Sequence, residues 1–145
     1  MPLWVLITLL VGSDQLTKLA IRTSFAPGHS LPLIPGMLHL TYVQNTGAAF
    51  GLFQGFTGAF VLISLGVAAW VALELIRHRH QAVLTQSALA LVLGGAIGNL
   101  IDRLWLGYVI DFIDVRVWPV FNVADSAISV GVALLVWQTL FPRRP

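Results

Sequence analysis

Apolar residues dominate four long stretches of the chain, and the charged residues fall mainly between these stretches or at their ends. The stretches run approximately over 2–21, 54–76, 82–104 and 122–141. A helix needs about 20 mostly apolar residues to cross the hydrocarbon core of a bilayer, so the pattern predicts four transmembrane helices. The first stretch could instead be a cleaved signal peptide. However, it has no basic segment before its apolar core and no small-x-small cleavage site after it.

A different periodicity occurs in the loop that joins the first two stretches. Leu38, Leu40 and Tyr42 alternate with other residues in a run rich in β-forming side chains, and "NTG" at 45–47 follows as a turn signal. This alternation predicts a short sheet or hairpin lying on the outer membrane surface. The expected fold is an all-α polytopic membrane protein, with four transmembrane helices and a small extracytoplasmic β-sheet or hairpin in the first outer loop.

Basic residues between the stretches predict the orientation of the chain in the membrane. "RHRH" at 77–80 joins the second and third stretches, and "RRP" at 143–145 follows the fourth. Cytoplasmic loops carry an excess of Lys and Arg, so both segments and the N-terminus are expected in the cytoplasm. Arg22 and Arg116 count against this orientation. The two remaining loops, 22–53 and 105–121, are then expected on the extracytoplasmic side of the membrane.

The composition supports a membrane protein and excludes several function classes. The chain, expected to form a single membrane-embedded domain over 1–145, is 57% hydrophobic and 10% charged, whereas soluble domains carry about 25% charged residues. Its net charge of +2 comes without a basic stripe, so no nucleic acid partner is expected. With no cysteine and no H-E-x-x-H motif, the chain offers no thiol nucleophile or zinc-protease site. No metal or other cofactor is expected.

Five of the six acidic residues fall at the outer ends of the predicted helices or in the second outer loop, and Glu74 is the exception. The five are Asp14, Asp102, Asp111, Asp114 and Asp125. Charge within a membrane is costly and usually serves a function. Asp14 and Lys18, four residues apart, share a helix face. This pair could only neutralise two buried charges, or it could also hold a site in place.

Four polar residues, with Asp102 among them, are candidates for the same outer region. Asn99, Asp102 and Arg103 lie in one sector of the third helix, after three glycines that allow close helix packing. They could form a polar helix end that reaches the interface, or a polar wall in which Arg103 binds carbonyl or carboxylate groups. Asn45 could be a turn former and nothing more.

Asp111 and Asp125 are the candidates for acid–base chemistry. Apolar neighbours on both sides of Asp111 would desolvate its carboxyl group and raise its pKa. Asn122 is a suitable N-cap with Asp125 at N3, which resembles a capping box and favours an ionised carboxylate. If the chain doubles back between them, the two carboxyl groups could share a proton across a water and hydrolyse an amide. Asp114 lies closer to Arg116 and could be its solvated partner.

A serine–lysine mechanism fits less well, because Lys18 is the only lysine and its nearest serine, Ser13, lies off its helix face. A proton- or ion-coupled transporter, or a membrane assembly subunit, remains an alternative function. A conduction pathway should place ionisable groups on both sides of the membrane midplane, whereas here they gather on one side.

Five motifs occur in one order along nearly the whole chain. They are "DQLTK" (14–18), "QNTGAAFGLF" (44–53), "GGAIGNLIDR" (94–103), "GYVIDFID" (107–114) and "FNVADS" (121–126). In these motifs the chain resembles the bacterial lipoprotein signal peptidases, also called signal peptidase II. The resemblance implies an aspartyl endopeptidase of the bacterial cytoplasmic (inner) membrane. Such an enzyme removes the signal peptide from a prolipoprotein, just before a cysteine that already carries diacylglycerol.

The resemblance also implies residue roles and partners. The catalytic aspartates of the family correspond to Asp111 and Asp125. Its support and substrate-binding positions correspond to Asp14, Lys18, Asn45, Gly47, Asn99, Asp102, Arg103 and Asn122. The implied partners are a lipid-modified prolipoprotein, membrane lipids and the cyclic peptide inhibitor globomycin. A monomer with an active site near the extracytoplasmic surface is expected.

Overall fold

The computed structural model describes residues 2–47, 57–77 and 82–141. Its four helices are α1 (Leu3–Ser24), α2 (Thr57–Arg77), α3 (Val83–Leu106) and α4 (Val123–Leu140). All four are long and apolar enough to cross a membrane, which confirms the predicted helices. Residues 48–56 lie outside the described residues, as do the last three residues of "RHRH" (78–80) and the whole of "RRP" (143–145).

Helix α3 lies at the centre of the bundle and packs against each of the other three helices. Of its most apolar 18-residue window, 67% is buried within the protein, compared with 6–17% for the other helices. The outer faces of α1, α2 and α4 carry exposed leucine, valine and tryptophan side chains. These faces are suited to contact with lipid, because exposing so large an apolar surface to water would cost free energy.

Glycines on α3 allow the neighbouring helices to approach closely. A Cβ atom added at Gly95 would collide with the backbone oxygen of Ala124 on α4. A Cβ atom added at Gly98 would lie 2.6 Å from Oδ2 of Asp14 on α1. Small residues at such contacts are typical of helix association in membranes. These two glycines therefore bring the first and last helices to the polar end of α3.

We expect Gly95→Ala to destabilise the bundle by about 1–3 kcal/mol, because the added methyl group must displace the α4 backbone. Gly66→Ala on α2 is the matched control, since a Cβ atom there meets open space. That control should be neutral, or more stable by up to about 1 kcal/mol through helix propensity. Thermal unfolding of both variants in detergent measures the difference. Equal midpoints for the two variants would contradict the packing role of Gly95.

A three-stranded antiparallel sheet lies at one end of the bundle, in the order β1-β2-β3. The strands are β1 (Ser30–Ile34), β2 (Leu38–Asn45) and β3 (Val109–Asp114). The first two confirm the predicted hairpin. The third comes from the segment between α3 and α4, where the sequence pattern indicates no strand. Most of β3 is buried on both faces, so it lacks the alternation of apolar and polar residues that marks a half-exposed strand.

Strand β3 is attached to the helices through its free edge. The backbone N–H of Ile110 donates to Asp102 Oδ2 (3.0 Å), and its carbonyl oxygen accepts from Asn122 Nδ2 (3.2 Å). Further along, Ile113 pairs with Phe121, so the chain doubles back between β3 and α4. This return is the condition under which Asp111 and Asp125 were expected to meet.

Candidate active site

Asp111 lies on β3 at the junction of the sheet and the helices, and is 2% exposed. Its Oδ1 accepts a hydrogen bond from Asn122 Nδ2 (2.7 Å), and its Oδ2 accepts one from Asn45 Nδ2 (2.9 Å). Both carboxyl oxygens are therefore held by side-chain amides from neighbouring elements. The carboxyl group is fixed in position without any cationic partner in direct contact among the described residues.

Burial raises the pKa of Asp111 to about 7, because desolvation disfavours the charged form, and the nearby Asp125 carboxylate adds to this effect. The hydrogen bonds from Asn45 and Asn122 act in the opposite direction. Asp111 therefore holds its proton over a pH range in which an ordinary aspartate is ionised. The dry surroundings predicted from its apolar neighbours are present.

Asp125 lies in the first turn of α4, where the predicted capping box is present. Asn122 Oδ1 accepts from the Asp125 backbone N–H (2.9 Å), and Asp125 Oδ2 accepts from the Asn122 backbone N–H (3.2 Å). Its Oδ1 accepts from Asn99 Nδ2 of α3 (2.7 Å). Donors on both oxygens, and the N-terminus of a helix, favour the ionised form of a carboxylate.

Asn122 connects the two carboxyl groups. It is fully buried, and its side chain donates to Asp111 while its cap holds Asp125. The same Nδ2 lies 3.1 Å from Asn99 Oδ1 and within hydrogen-bond distance of the Ile110 carbonyl. One side chain thus sets the position of β3 relative to the start of α4.

A buried cluster lies behind the two carboxyl groups. We call it the Lys18 cluster; its members are Lys18, Asp14, Asp102 and Asn99. The Lys18 Nζ atom is 2.8 Å from Asp14 Oδ2, 2.9 Å from Asp102 Oδ2 and 3.0 Å from Asn99 Oδ1. An ammonium group has three protons, so these three acceptors satisfy it completely. The predicted ion pair of Asp14 and Lys18 is present, and it extends to α3.

Two members of the Lys18 cluster hold backbone groups next to the candidate catalytic residues. Asp14 Oδ1 accepts from the backbone N–H of Ala124 (2.9 Å), in the first turn of α4. Asp102 Oδ2 accepts from the backbone N–H of Ile110, which precedes Asp111. The cluster therefore does more than neutralise buried charge, because it fixes both elements that carry the candidate carboxyl groups.

The orientation of the Asn99 amide follows from this arrangement. Lys18 can only donate hydrogen bonds, so the Asn99 oxygen must face it. The Asn99 amide nitrogen is then directed at Asp125 Oδ1. Lys18 and Asn122 Nδ2, which both donate to the Asn99 oxygen, therefore determine that Asp125 meets a donor and not an acceptor.

Asn45 forms a turn and also contacts Asp111. Its Oδ1 accepts from the backbone N–H of Gly47 (3.0 Å), as a turn former does, while its Nδ2 donates to Asp111. Arg103 makes a side-chain contact with α2, while its charge acts on Asp125, Asp111 and Asp102. Its guanidinium lies toward α2, with Nη1 3.3 Å from Ser64 Oγ and the Phe60 ring 5.6 Å away.

Gln15 was missed as a site residue. Its Nε2 lies 3.0 Å from Asp102 Oδ1, 3.1 Å from the Gly98 carbonyl oxygen and 3.2 Å from Asp14 Oδ2. It therefore joins α1 to α3 beside the Lys18 cluster. Its place in "DQLTK", three residues before Lys18 on the same side of the helix, was the available signal.

Asp114 lies apart from this site, on the far end of β3. Burial by itself would raise its pKa, but hydrogen bonds from Thr41 and Arg116 outweigh that effect and hold the pKa below its usual value. Its Oδ2 is 2.8 Å from Thr41 Oγ1 and 3.1 Å from Arg116 Nη1. The expected pairing of Asp114 with Arg116 is present.

Within the described ranges, no group of three or more His, Cys, Asp or Glu side chains is placed to hold a metal ion. The chemistry that the site offers is that of two carboxyl groups with different environments. One is dry and holds its proton to about neutral pH, and the other accepts hydrogen bonds at a helix start. Such a pair can act as acid and base toward one bound molecule.

Comparisons with known proteins identify the family of the chain. The family described as "Signal peptidase (SPase) II" matches residues 6–141. A lipoprotein signal peptidase of Moorella thermoacetica is 51% identical over 142 residues, covering 98% of this chain and 95% of that protein. A lipoprotein signal peptidase of Halothermothrix orenii is 41% identical over 138 residues, covering 93% and 94%.

Two solved structures have the same fold. Both are described as bacterial membrane enzymes determined by the in meso method, at 2.3 Å and 1.9 Å resolution. The first has a TM-score of 0.90 at 34% identity and covers 95% of this chain and 87% of its own. The second has a TM-score of 0.88 at 33% identity and covers 98% and 94%. With its four membrane-length helices, this chain is a multi-pass bacterial membrane protein, and it belongs to the signal peptidase II family.

Proposed function

We propose that this chain is an aspartyl endopeptidase that removes the signal peptide from diacylglyceryl-modified prolipoproteins, cleaving N-terminal to the lipidated cysteine. Family membership and the names of the relatives support the substrate class. The observation that carries the chemistry is the joining of Asp111 and Asp125 through the buried side chain of Asn122. Two carboxyl groups held in this way can activate water and protonate an amide.

In the proposed mechanism, Asp125 is the general base and Asp111 carries the proton at rest. Asp125 takes a proton from a water molecule while the water oxygen bonds to the scissile carbonyl carbon. Asp111 donates its proton to the carbonyl oxygen, which gives a tetrahedral diol. The proton on Asp125 then passes to the amide nitrogen as the C–N bond breaks, and the return of a diol proton to Asp111 leaves an acid and an amine.

The environments of the two carboxyl groups support this assignment. Asp111 has a pKa of about 7, so much of it holds a proton at neutral pH. Asp125 accepts hydrogen bonds from Asn99 and from the Asn122 backbone, which stabilise its negative charge. The dyad would titrate as one coupled pair.

The remaining family positions are proposed as support and substrate-binding residues. Asp14, Lys18, Asn99, Asp102 and Asn122 position the dyad through the contacts described above. Arg103 faces α2, where its guanidinium could bind carbonyl oxygens of the substrate backbone. Asn45 and Gly47 form a turn beside Asp111, at the point where an extended peptide could enter.

We further propose a single peptidase domain over 1–145, monomeric, with both termini in the cytoplasm and the dyad near the extracytoplasmic surface. Arg77, in the last turn of α2, lies at the end opposite the sheet, in agreement with the positive-inside rule. A cysteine anchored by diacylglycerol would place the peptide bond before it near the extracytoplasmic surface, at the depth of the proposed dyad. Globomycin is proposed to occupy the same substrate site.

The substrate class is tested with the purified full chain in liposomes. A prolipoprotein carrying diacylglycerol on its cysteine should be cleaved, whereas the same protein without the lipid should not. Mass spectrometry of the product locates the new N-terminus at the cysteine. Absence of cleavage, together with measurable proton flux across the liposome, would instead support a transporter.

The protonation of Asp111 predicts the pH dependence of the proposed reaction. Because Asp111 must donate its proton and its pKa is about 7, kcat/KM should fall as pH rises above that value, about tenfold per pH unit. Asn45→Ala removes a hydrogen bond that favours the ionised form, so it should move this decline to higher pH.

Gln44→Ala is the matched control, because the neighbouring side chain on β2 points to the other face and donates to the Tyr42 hydroxyl. Its pH profile should match that of the wild type. A decline that stays in place, or moves to lower pH, in Asn45→Ala would contradict the proposed role of Asp111.

A further inference from the structure

A groove of about 290 Å³ lies between α1 and α3, and neither Asp111 nor Asp125 lines it. Its walls include Leu19 from α1 and Ile101 and Trp105 from α3. Leu19 is 54% exposed and Trp105 is 85% exposed, so the groove opens sideways toward the lipid. Its lining shares Lys18 and Asp102 with the Lys18 cluster but includes neither of the two candidate catalytic carboxyl groups.

The charged groups at the bottom of the groove require no ligand. Asp102 accepts from Gln15 on one oxygen and from Lys18 and the Ile110 backbone on the other. Lys18 has all three of its protons bonded. The polar groups at the base of the groove therefore have all their hydrogen-bond partners within the protein. The remaining wall is apolar, so the groove can accept an acyl chain.

Arg22 lines the other end of the groove, in the last turn of α1. It lies seven residues beyond Gln15, which corresponds to about 10 Å along the helix axis. Its side chain is exposed and has no ion-pair partner within 2–47, 57–77 and 82–141. Arginine and tryptophan side chains at the ends of transmembrane helices typically lie at the depth of the lipid headgroups.

We propose that this groove binds one anionic glycerophospholipid, with the phosphate on Arg22 and an acyl chain along Leu19 and Ile101. A guanidinium group binds phosphate through two parallel hydrogen bonds. A zwitterionic lipid would also bring an ammonium group to this end. The carboxylate of the groove, Asp102, is fully engaged and cannot pair with it. Charge complementarity therefore selects an anionic headgroup.

The test is native mass spectrometry of the purified full chain in detergent, titrated with phosphatidylglycerol or with phosphatidylcholine of the same acyl chains. The wild type should bind one phosphatidylglycerol with a Kd about fivefold lower than that for phosphatidylcholine, as expected for one basic residue at an anionic headgroup. Arg22→Gln should remove this preference. Arg22→Lys, which keeps the charge without the planar fork, should retain part of it.

Arg77→Gln is the charge control, because Arg77 also ends a helix but lies at the other end of the bundle. It should keep the preference. Ile101→Trp should fill the groove and weaken binding of both lipids, while Leu16→Trp, at a lipid-facing position outside the groove, should not. Size-exclusion elution confirms the folded state of each variant.

Three results would overturn the proposal. They are equal affinity of the wild type for both lipids, a preference that survives in Arg22→Gln, and full displacement of phosphatidylglycerol by inorganic phosphate alone. The last result would show a headgroup site without a role for the groove. None of these readouts depends on peptidase activity.

Discussion

Asp111→Asn and Asp125→Asn are each expected to lower kcat/KM for cleavage of lipid-modified prolipoprotein by about 10²–10⁴-fold, the range associated with loss of a general acid or base. Asn at position 111 cannot supply the proton that the carbonyl oxygen needs. Asn at position 125 cannot take the proton from water. Each carboxyl group has its own step in the proposed mechanism, so neither can replace the other.

The matched control is Asp114→Asn, on the same strand. Asp114 binds Thr41 and Arg116 and is not connected to Asn122, so its loss should leave kcat/KM within a few-fold of the wild type. Thermal unfolding in detergent shows whether the two test variants remain folded. Near-normal cleavage by either folded variant would refute the dyad.

Lys18→Met should destabilise the protein by about 3–5 kcal/mol, because it leaves two buried carboxylates without a cation. Asp14 and Asp102 would then face each other across the space between α1 and α3. Asn99 would also lose its charged donor and keep only Asn122 Nδ2 on its oxygen, so the hydrogen bond from Asn99 to Asp125 should weaken. Both stability and cleavage should therefore fall.

A triple variant separates these two effects. Combining Lys18→Met with Asp14→Asn and Asp102→Asn removes the unpaired charges and should recover part of the stability, as replacement of whole buried ion pairs often does. Cleavage should recover less than stability, because the Asn99 oxygen then keeps only the neutral donor Asn122 Nδ2. Arg77→Met, which breaks an exposed pair with Glu74, should cost less than about 1 kcal/mol. A Lys18→Met protein as stable as Arg77→Met would contradict this account.

The sequence pattern could predict features that depend on residues only a few positions apart in the chain. Apolar length predicted the four helices to within a few residues. The capping box of Asn122 and Asp125 depends on a spacing of three residues, and the pair of Asp14 and Lys18 on a spacing of four. In each case helix geometry alone relates the side chains.

The features that the pattern could not predict depend on contacts between distant parts of the chain. Lys18 and Asn99 are 81 residues apart, and their contact requires α1 and α3 to pack at one particular depth. The free edge of strand β3 is stabilised by hydrogen bonds from the Ile110 backbone to the side chains of Asp102 and Asn122. These two residues lie outside the strand, so the periodicity of the strand sequence does not reveal them. The pattern left open whether Arg103 ends the helix at the interface or belongs to a polar wall, and its contact with Ser64 depends on how α2 packs against α3.

The hydrogen bond between Asp14 and Ala124 joins the first helix to the last across 110 residues. During synthesis, therefore, the proposed dyad cannot form until the final helix has entered the membrane and met the first. A chain that ends after β3 would contain Asp111 but neither Asn122 nor Asp125. The proposed peptidase activity should therefore begin only after α4 has inserted.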